Sequence, residues 1–344
     1  MSQFDAIYDN PNICKLEEKL DVIPGEPSDK PGFHNYVGKY PLQPPLDGAR
    51  GVYGGEFVAQ GTYAAWASVP DPEMSPHSLH SYFVKAGSSE SPIRWEVQEI
   101  SNTRNYANRL CHGYQSHTGK LCFTLQVSFV RNNNATRRNE LGHRDGVQPL
   151  QIQRKPQAFF NKYKDRLESE PYFEHTHGLM QNYIPREFLQ TDYNIDLKTR
   201  GNVEFGFFTK VNDNLDVAHN PVKAKITSML FLSDSFWLAT LAKALGLPIA
   251  GHHFDTVNYF RVSLDHQVYI HDTEFDPSQW MFIDYNFSTM RNDRVLCHCQ
   301  YYTLEGKMVA SVVQEALVYL GEKIIRSAQT HFGPEPTKPT TAKL

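Results

Sequence analysis

Residues 296–320 read LCHCQYYTLEGKMVASVVQEALVYL. Apolar and polar residues alternate on either side of Gly306-Lys307, the pattern of two strands joined by a tight turn. Because strand side chains point to opposite faces in turn, Met308, Ala310, Val312, Ala316, Val318 and Leu320 share one side. Gln314 falls in the middle of that apolar face. A carboxamide buried there is costly unless its donors and acceptors are paired, so Gln314 is expected to have a specific partner.

The hairpin occurs twice. Residues 110–130, LCHGYQSHTGKLCFTLQVSFV, repeat its strand, Gly-Lys turn and strand. Upstream, SLHSYF beginning at Ser78 echoes SLDHQVYIH beginning at Ser263, and EFVAQGTYAAWASVP and DSFWLATLAKALGLP both end in proline. The landmarks recur 178, 185 and 187 residues apart: Pro70 and Pro248, Ser78 and Ser263, Gly119 and Gly306. Two copies of one module account for this, each ordered helix, strand, strand, hairpin. The predicted fold class is α+β, with an antiparallel sheet wrapped around a helix in each copy. In the second copy, Ser233-Asp234-Ser235 is expected to cap a helix over 236–245 that Gly246 and Pro248 terminate. Val262, Leu264, His266, Val268 and Ile270 then alternate as a single strand. The expected organisation is a first copy over 1–131, a connector over 132–201, a second copy over 202–326 and a tail over 327–344. The connector is polar and proline-punctuated, packing in part through PQAFFNKY and REFLQTDY.

At 344 residues with net charge −4, the chain has no global pull toward nucleic acid or anionic membrane. No apolar run reaches the length of a bilayer span, and residues 1–20 lack a signal-peptide core. Five cysteines, an odd number, point to free thiols in a reducing compartment. The final residues Ala342, Lys343 and Leu344 form the small-basic-Leu tripeptide read by the peroxisomal import receptor, so the peroxisomal matrix is the expected location.

YGGEFVAQGTYAAWASVP, HSLHSYFVKAG, FLSDSFWLA, SLDHQVYIH and GKMVASVVQEALV stand in the order, and resemble the motifs, of the type II acyl-CoA thioesterase family. That family comprises bacterial thioesterase II and its peroxisomal relatives. The resemblance spans both copies, whereas the N-terminal 45 residues and the connector match poorly. It implies a tandem, or double, hot-dog fold and hydrolysis of fatty acyl-CoA to fatty acid and CoA by water. It also implies a catalytic trio that falls here on Asp234, Ser263 and Gln314, with an accessory histidine at His77.

The chemistry fits those residue types. The chain holds no Gly-x-Ser-x-Gly nucleophile elbow, which leaves water as the nucleophile. Asp234 would take its proton while Ser263 and Gln314 orient it, and amides at a helix start near Gly54 and Gly55 would serve the oxyanion. Each residue also has a plainer role open to it: Asp234 as a helix N-cap, Gln314 as a structural bridge. Strict alternation puts Ser263 opposite in face to Leu264, so it is expected at a strand entry, bulge or turn. Counting from the repeated prolines, glycines and serines, the first copy carries Glu56, Val127 and Ser78 where the second has Asp234, Gln314 and Ser263. Lacking the amide, the first copy is expected to be scaffold, leaving one active site per chain.

Cys297 and Cys299 read as core thiols, GHHFD lacks the HExxH metal pattern, and no phosphate-binding glycine motif occurs, so neither metal nor cofactor is expected. The basic residues Arg131, Arg137, Arg138, Arg144, Arg154 and Lys155 read as a solvated face. Two fused copies already complete a hot-dog pair, so a homo-oligomer is optional. Two other functions stay open: a hot-dog acyl-CoA hydratase or dehydratase using His77, His80 or His266, and a non-catalytic acyl-CoA-binding protein.

Overall fold

Glycines at positive φ close both repeated hairpins: Gly119 at +64° and Gly306 at +82° adopt the left-handed backbone that other residues rarely take. The computed structural model describes residues 10–45, 49–142, 150–167, 173–175, 178–184, 204–245, 259–322 and 325. Outside them lie Ala342, Lys343 and Leu344 of the tail, Gly246 and Pro248, the GHHFD stretch and REFLQTDY.

The strands are β1 (Val22–Pro24), β2 (Phe33–Gly38), β3 (Met74–Phe83), β4 (Ile93–Asn102), β5 (Tyr106–Gln115), β6 (Leu121–Arg131) and β7 (Phe173–His175). They continue as β8 (Met180–Tyr183), β9 (Glu204–Val211), β10 (Tyr259–Ser263), β11 (Asp265–Ile270), β12 (Met281–Arg291), β13 (Arg294–Tyr302) and β14 (Met308–Leu320). One sheet runs β1-β2-β4-β5-β6-β3-β11-β14-β13-β12-β9-β8-β7, with β10 also on β14. The seam between the repeated strand sets is β3 against β11, where Ser81 lies opposite His266 and its hydroxyl donates to the His266 carbonyl at 2.8 Å.

The helices are α1 (Lys15–Leu20), α2 (Gly54–Ala67), α3 (Ala135–Gly142), α4 (Ala158–Tyr163), α5 (Pro221–Leu232) and α6 (Trp237–Ala244). The apolar faces of the sheet and of α2, α5 and α6 form one large core. α2 and α5 pack antiparallel: Lys223 near the start of α5 lies over Trp66 near the end of α2, and Gly55 at the start of α2 meets Phe231 near the end of α5. A second, smaller cluster sits where α4 sets Phe160 and Tyr163 against Phe208, Phe282 and Tyr302. PQAFFNKY therefore packs as its aromatics suggested.

Three expectations change. The helix expected over 236–245 is α6, but a longer helix, α5, precedes it. Asn220 caps α5 by accepting from the Lys223 amide, with Pro221 in its first turn. Asp234 thus sits in the turn between two helices, and Phe236 at φ +55° breaks them apart. Second, Met308 leaves the face of Ala310 and Val312, because the β13–β14 register shifts between Tyr301 and Tyr302, and it joins the smaller cluster. Third, the strand expected from Val262 to Ile270 is broken at Leu264. Ser263 pairs with Ala316, whereas Gln267 pairs with Val313, so one extra residue enters on this side. The bulge exposes Val262 and turns Ser263 to the face of Ala316 and Gln314.

The same bulge exists in the first copy, between Pro76, opposite Phe129, and Ser78, opposite Ser128. These pairs lie 187 residues before their counterparts, the spacing of Gly119 and Gly306. By register, Pro76 rather than Ser78 occupies the place of Ser263, and Leu79 that of His266.

Candidate functional site

β14 carries Gln314 into the core with no exposed surface. Its neighbour across the ladder on β13 is Cys297, and Cys297 and Cys299 are buried free thiols with their sulfurs 3.6 Å apart. The Gln314 amide nitrogen donates to Asp234 Oδ1 at 2.6 Å, which supplies the partner that its burial demands. Trp237 Nε1 donates to the same oxygen at 3.2 Å.

Asp234 does not cap α6. Its carboxylate lies across the start of α2, where the backbone amides of Gly55 and Gly54 aim at it. The first amides of a helix lack internal partners and carry the positive end of its dipole, so a carboxylate is favoured there. Only glycine fits: a Cβ on Gly54 would stand 2.5 Å from Asp234 Oδ2, and one on Gly55 would run into the Phe231 carbonyl. Gly54 and Gly55, expected at an oxyanion, instead face the acid.

Burial raises the Asp234 carboxyl to about 6, while its donors, Gln314 first, then Trp237 and the two glycine amides, pull it down. It remains mostly ionised at neutral pH and is a stronger base than an ordinary carboxylate.

Buried phenols hold the Asp234 turn from three directions. Tyr53 donates to the Phe231 carbonyl at 2.8 Å, Tyr301 to Leu232 at 3.0 Å and Tyr285 to Ser235 at 2.6 Å. The Phe231 carbonyl ends α5 with the Tyr53 phenol as its donor, while the Leu232 carbonyl takes the Ser235 amide at 2.9 Å as well as Tyr301. The sequence reading missed these anchors, although Tyr285 and Tyr301 on buried strand faces are polar-tipped aromatics that need a partner.

Ser233, beside Asp234, is buried, and its hydroxyl lies 2.8 Å from His266 Nε2. Ser263 is partly buried; it faces Ala316, one same-face step from Gln314, about 7 Å along the strand. The structure therefore joins Asp234 and Gln314 directly and turns Ser263 to their face.

His77 is not brought to this cluster. It sits at the first-copy bulge, its Nε2 2.9 Å from the Ser128 hydroxyl and its ring edge on Tyr106, about 13 Å along the sheet from the level of His266. His80 is exposed against Tyr269. Glu56 is buried in a 2.5 Å ion pair with Lys19 and accepts the Gln43 amide, a structural placement.

Residues 42–130 match the family described as Acyl-CoA thioesterase N-terminal domain, and residues 204–318 the Acyl-CoA thioesterase C-terminal domain. The chain is 26% identical to the peroxisomal acyl-coenzyme A thioester hydrolase 1 of Saccharomyces cerevisiae, across 92% of this chain and 97% of that one. It is 23% identical to acyl-CoA thioesterase 2 of Haemophilus influenzae, across 80% and 90%. Among solved structures, the acyl-CoA thioesterase II TesB2 of Mycobacterium marinum superposes with a TM-score of 0.61 at 19% identity, covering 89% of this chain and 98% of the other.

Proposed function

Because the chain belongs to the type II acyl-CoA thioesterase family, we propose that it hydrolyses fatty acyl-CoA to fatty acid and CoA at the Asp234–Gln314 site. The observation that carries this reading is the 2.6 Å contact of a buried amide with a partly buried, basic carboxylate held at a helix start. Asp234 removes a proton from water as its oxygen attacks the thioester carbonyl. Gln314 and Ser263 hold that water in line, and a positioned base of this kind contributes about 10²–10⁴ in rate. The tetrahedral oxyanion then collapses, the C–S bond breaks, and the proton on Asp234 passes to the CoA sulfur. We assign Gly54 and Gly55 to the base rather than to the oxyanion, since their amides aim at Asp234.

The two-copy organisation supports the double hot-dog reading, with copies over 1–131 and 202–326, a connector over 132–201 and a tail over 327–344. The β3–β11 seam would join the copies, and the matching bulges mark them as repeats. The first copy has Pro76, Leu79 and Val127 at the register positions of Ser263, His266 and Gln314, which supports one site per chain. A peroxisomal location rests on the name of the yeast relative and is tested by imaging the full chain in cells.

The test of the function is thiol release from a ladder of acyl-CoAs by wild type, Asp234→Ala and Gln314→Ala, with folding followed by thermal melt. Folded variants that lose most of the rate support the reading. A wild type that releases no thiol at any chain length overturns it.

A further inference from the structure

Gln314 presents two sides that must be told apart. Its nitrogen donates to Asp234, whereas its oxygen, Oε1, is buried without a hydrogen-bond partner among the described residues. Rotating the amide by half a turn would exchange the two and set a carbonyl against the carboxylate. Something must select the orientation seen. The facing residue is His266: extending the β11–β14 register one step from Gln267 opposite Val313 sets His266 opposite Gln314, on the same face of the sheet. His266 is likewise wholly buried, its Nε2 engaged with Ser233 and its Nδ1 without a hydrogen-bond partner among the described residues.

We propose that His266 is a positioning residue whose Nδ1–H, turned toward Gln314 Oε1, fixes the carboxamide so that its nitrogen meets Asp234. This inference rests on the function proposed above. A bare Nδ1 facing a bare carbonyl oxygen would set two acceptors together in a medium that makes such a contact expensive. A proton on Nδ1 makes the pair complementary. Nε2 then accepts from the Ser233 hydroxyl, whose proton must turn to it from the Leu230 carbonyl 2.7 Å away; that carbonyl keeps the Ser233 backbone amide at 3.2 Å. The result is one line of donors, Ser233 to His266 to Gln314 to Asp234, running from the residue beside the base back to the base itself. Burial holds the imidazole neutral, at about 3, so this line carries orientation and no charge.

Asp234 reports the orientation. A flipped amide would lift its titration, because a donor would become a repelling carbonyl. The other groups facing it do not blur this signal. Tyr53 beside α2, and Tyr301 and Cys299 on β13, are each held above their usual range by burial and stay neutral. Glu56, further along α2, is paired with Lys19.

The experiment compares His266→Asn, His266→Gln and His266→Phe, reading kcat/KM against pH for thiol release. Asparagine keeps an amide nitrogen at the Nδ1 position, glutamine keeps one near Nε2, and phenylalanine keeps only the volume. His266→Asn is expected to hold the acidic limb at its wild-type pH. His266→Gln and His266→Phe are expected to move it upward and to lose about tenfold or more, the worth of one hydrogen bond to a charged group. A limb that stays in place in all three variants overturns the proposal. Long-range ¹H–¹⁵N spectra of histidine-labelled wild type, assigned against His266→Phe, read the tautomer without any reference to catalysis. A proton on Nδ1 is expected, and a proton on Nε2 overturns the proposal even if the enzyme is active. If wild type releases no thiol, only the proposed function fails, and the spectra still decide the role of His266.

Discussion

Replacing Gln314 with methionine keeps the volume of a side chain that has no exposed surface and deletes the 2.6 Å bond to Asp234. A hydrogen bond to a charged group is worth about 1.5–3 kcal/mol, and one pH unit of titration about 1.4 kcal/mol. The Asp234 carboxyl, now at about 6, should therefore rise to about 7–8. Its folded value lies above the ordinary carboxyl value near 3.9 of the unfolded chain, so ionising it costs stability. That cost is absent below about pH 4, grows as pH rises and is complete above the folded value. In Gln314→Met it should be larger by about 1–2.5 kcal/mol at pH 8 and nearly unchanged at pH 5. Urea denaturation at pH 5 and pH 8, beside the pH profile of thiol release, measures both quantities. The acidic limb of kcat/KM should move with the carboxyl. Equal destabilisation at the two pH values with an unmoved limb would refute the coupling and make Gln314 a packing bridge.

Wild-type activity should itself fall on acidification with a limb near pH 6, checked by kcat/KM from pH 5 to 8, because the base is protonated below that value. Glu56→Gln leaves buried Lys19 opposite a neutral amide and should cost about 3–5 kcal/mol in denaturant. Its activity per folded molecule should persist, and loss as deep as that of Asp234→Ala would place catalysis in the first copy too. Tyr301→Phe removes one of the two donors on the Leu232 carbonyl, which keeps the Ser235 amide, and should cost about 0.5–1.5 kcal/mol, with kcat reduced more than KM is raised. Gly54→Ala puts a methyl group against Asp234 Oδ2, and kinetics should record a fall in rate larger than its effect on melting.

Much of the fold is written in local pattern. Gly119 and Gly306 close hairpins because each can take positive φ, and the alternation along 310–320 lays down the buried face on which Gln314 stands. The two copies follow from repeated landmarks, and an amide in an apolar row marked Gln314 as a residue in need of a partner. Other decisions belonged to the tertiary structure. A single extra residue at Leu264 reverses the face of everything before it, and no alternating pattern announces a bulge. It set the face of Ser263 and replaced Ser78 by Pro76 as its counterpart. Asp234 looked like a cap for the helix that follows it, yet the amides it meets belong to a helix about 180 residues earlier in the chain. The tyrosines that pin its turn come from α2's entry, β12 and β13. The same holds for its basicity, which burial sets against four donors drawn from three separate stretches of chain. Alternation and turns are properties of neighbours in sequence, whereas the charge state of a buried acid depends on whatever the fold brings beside it.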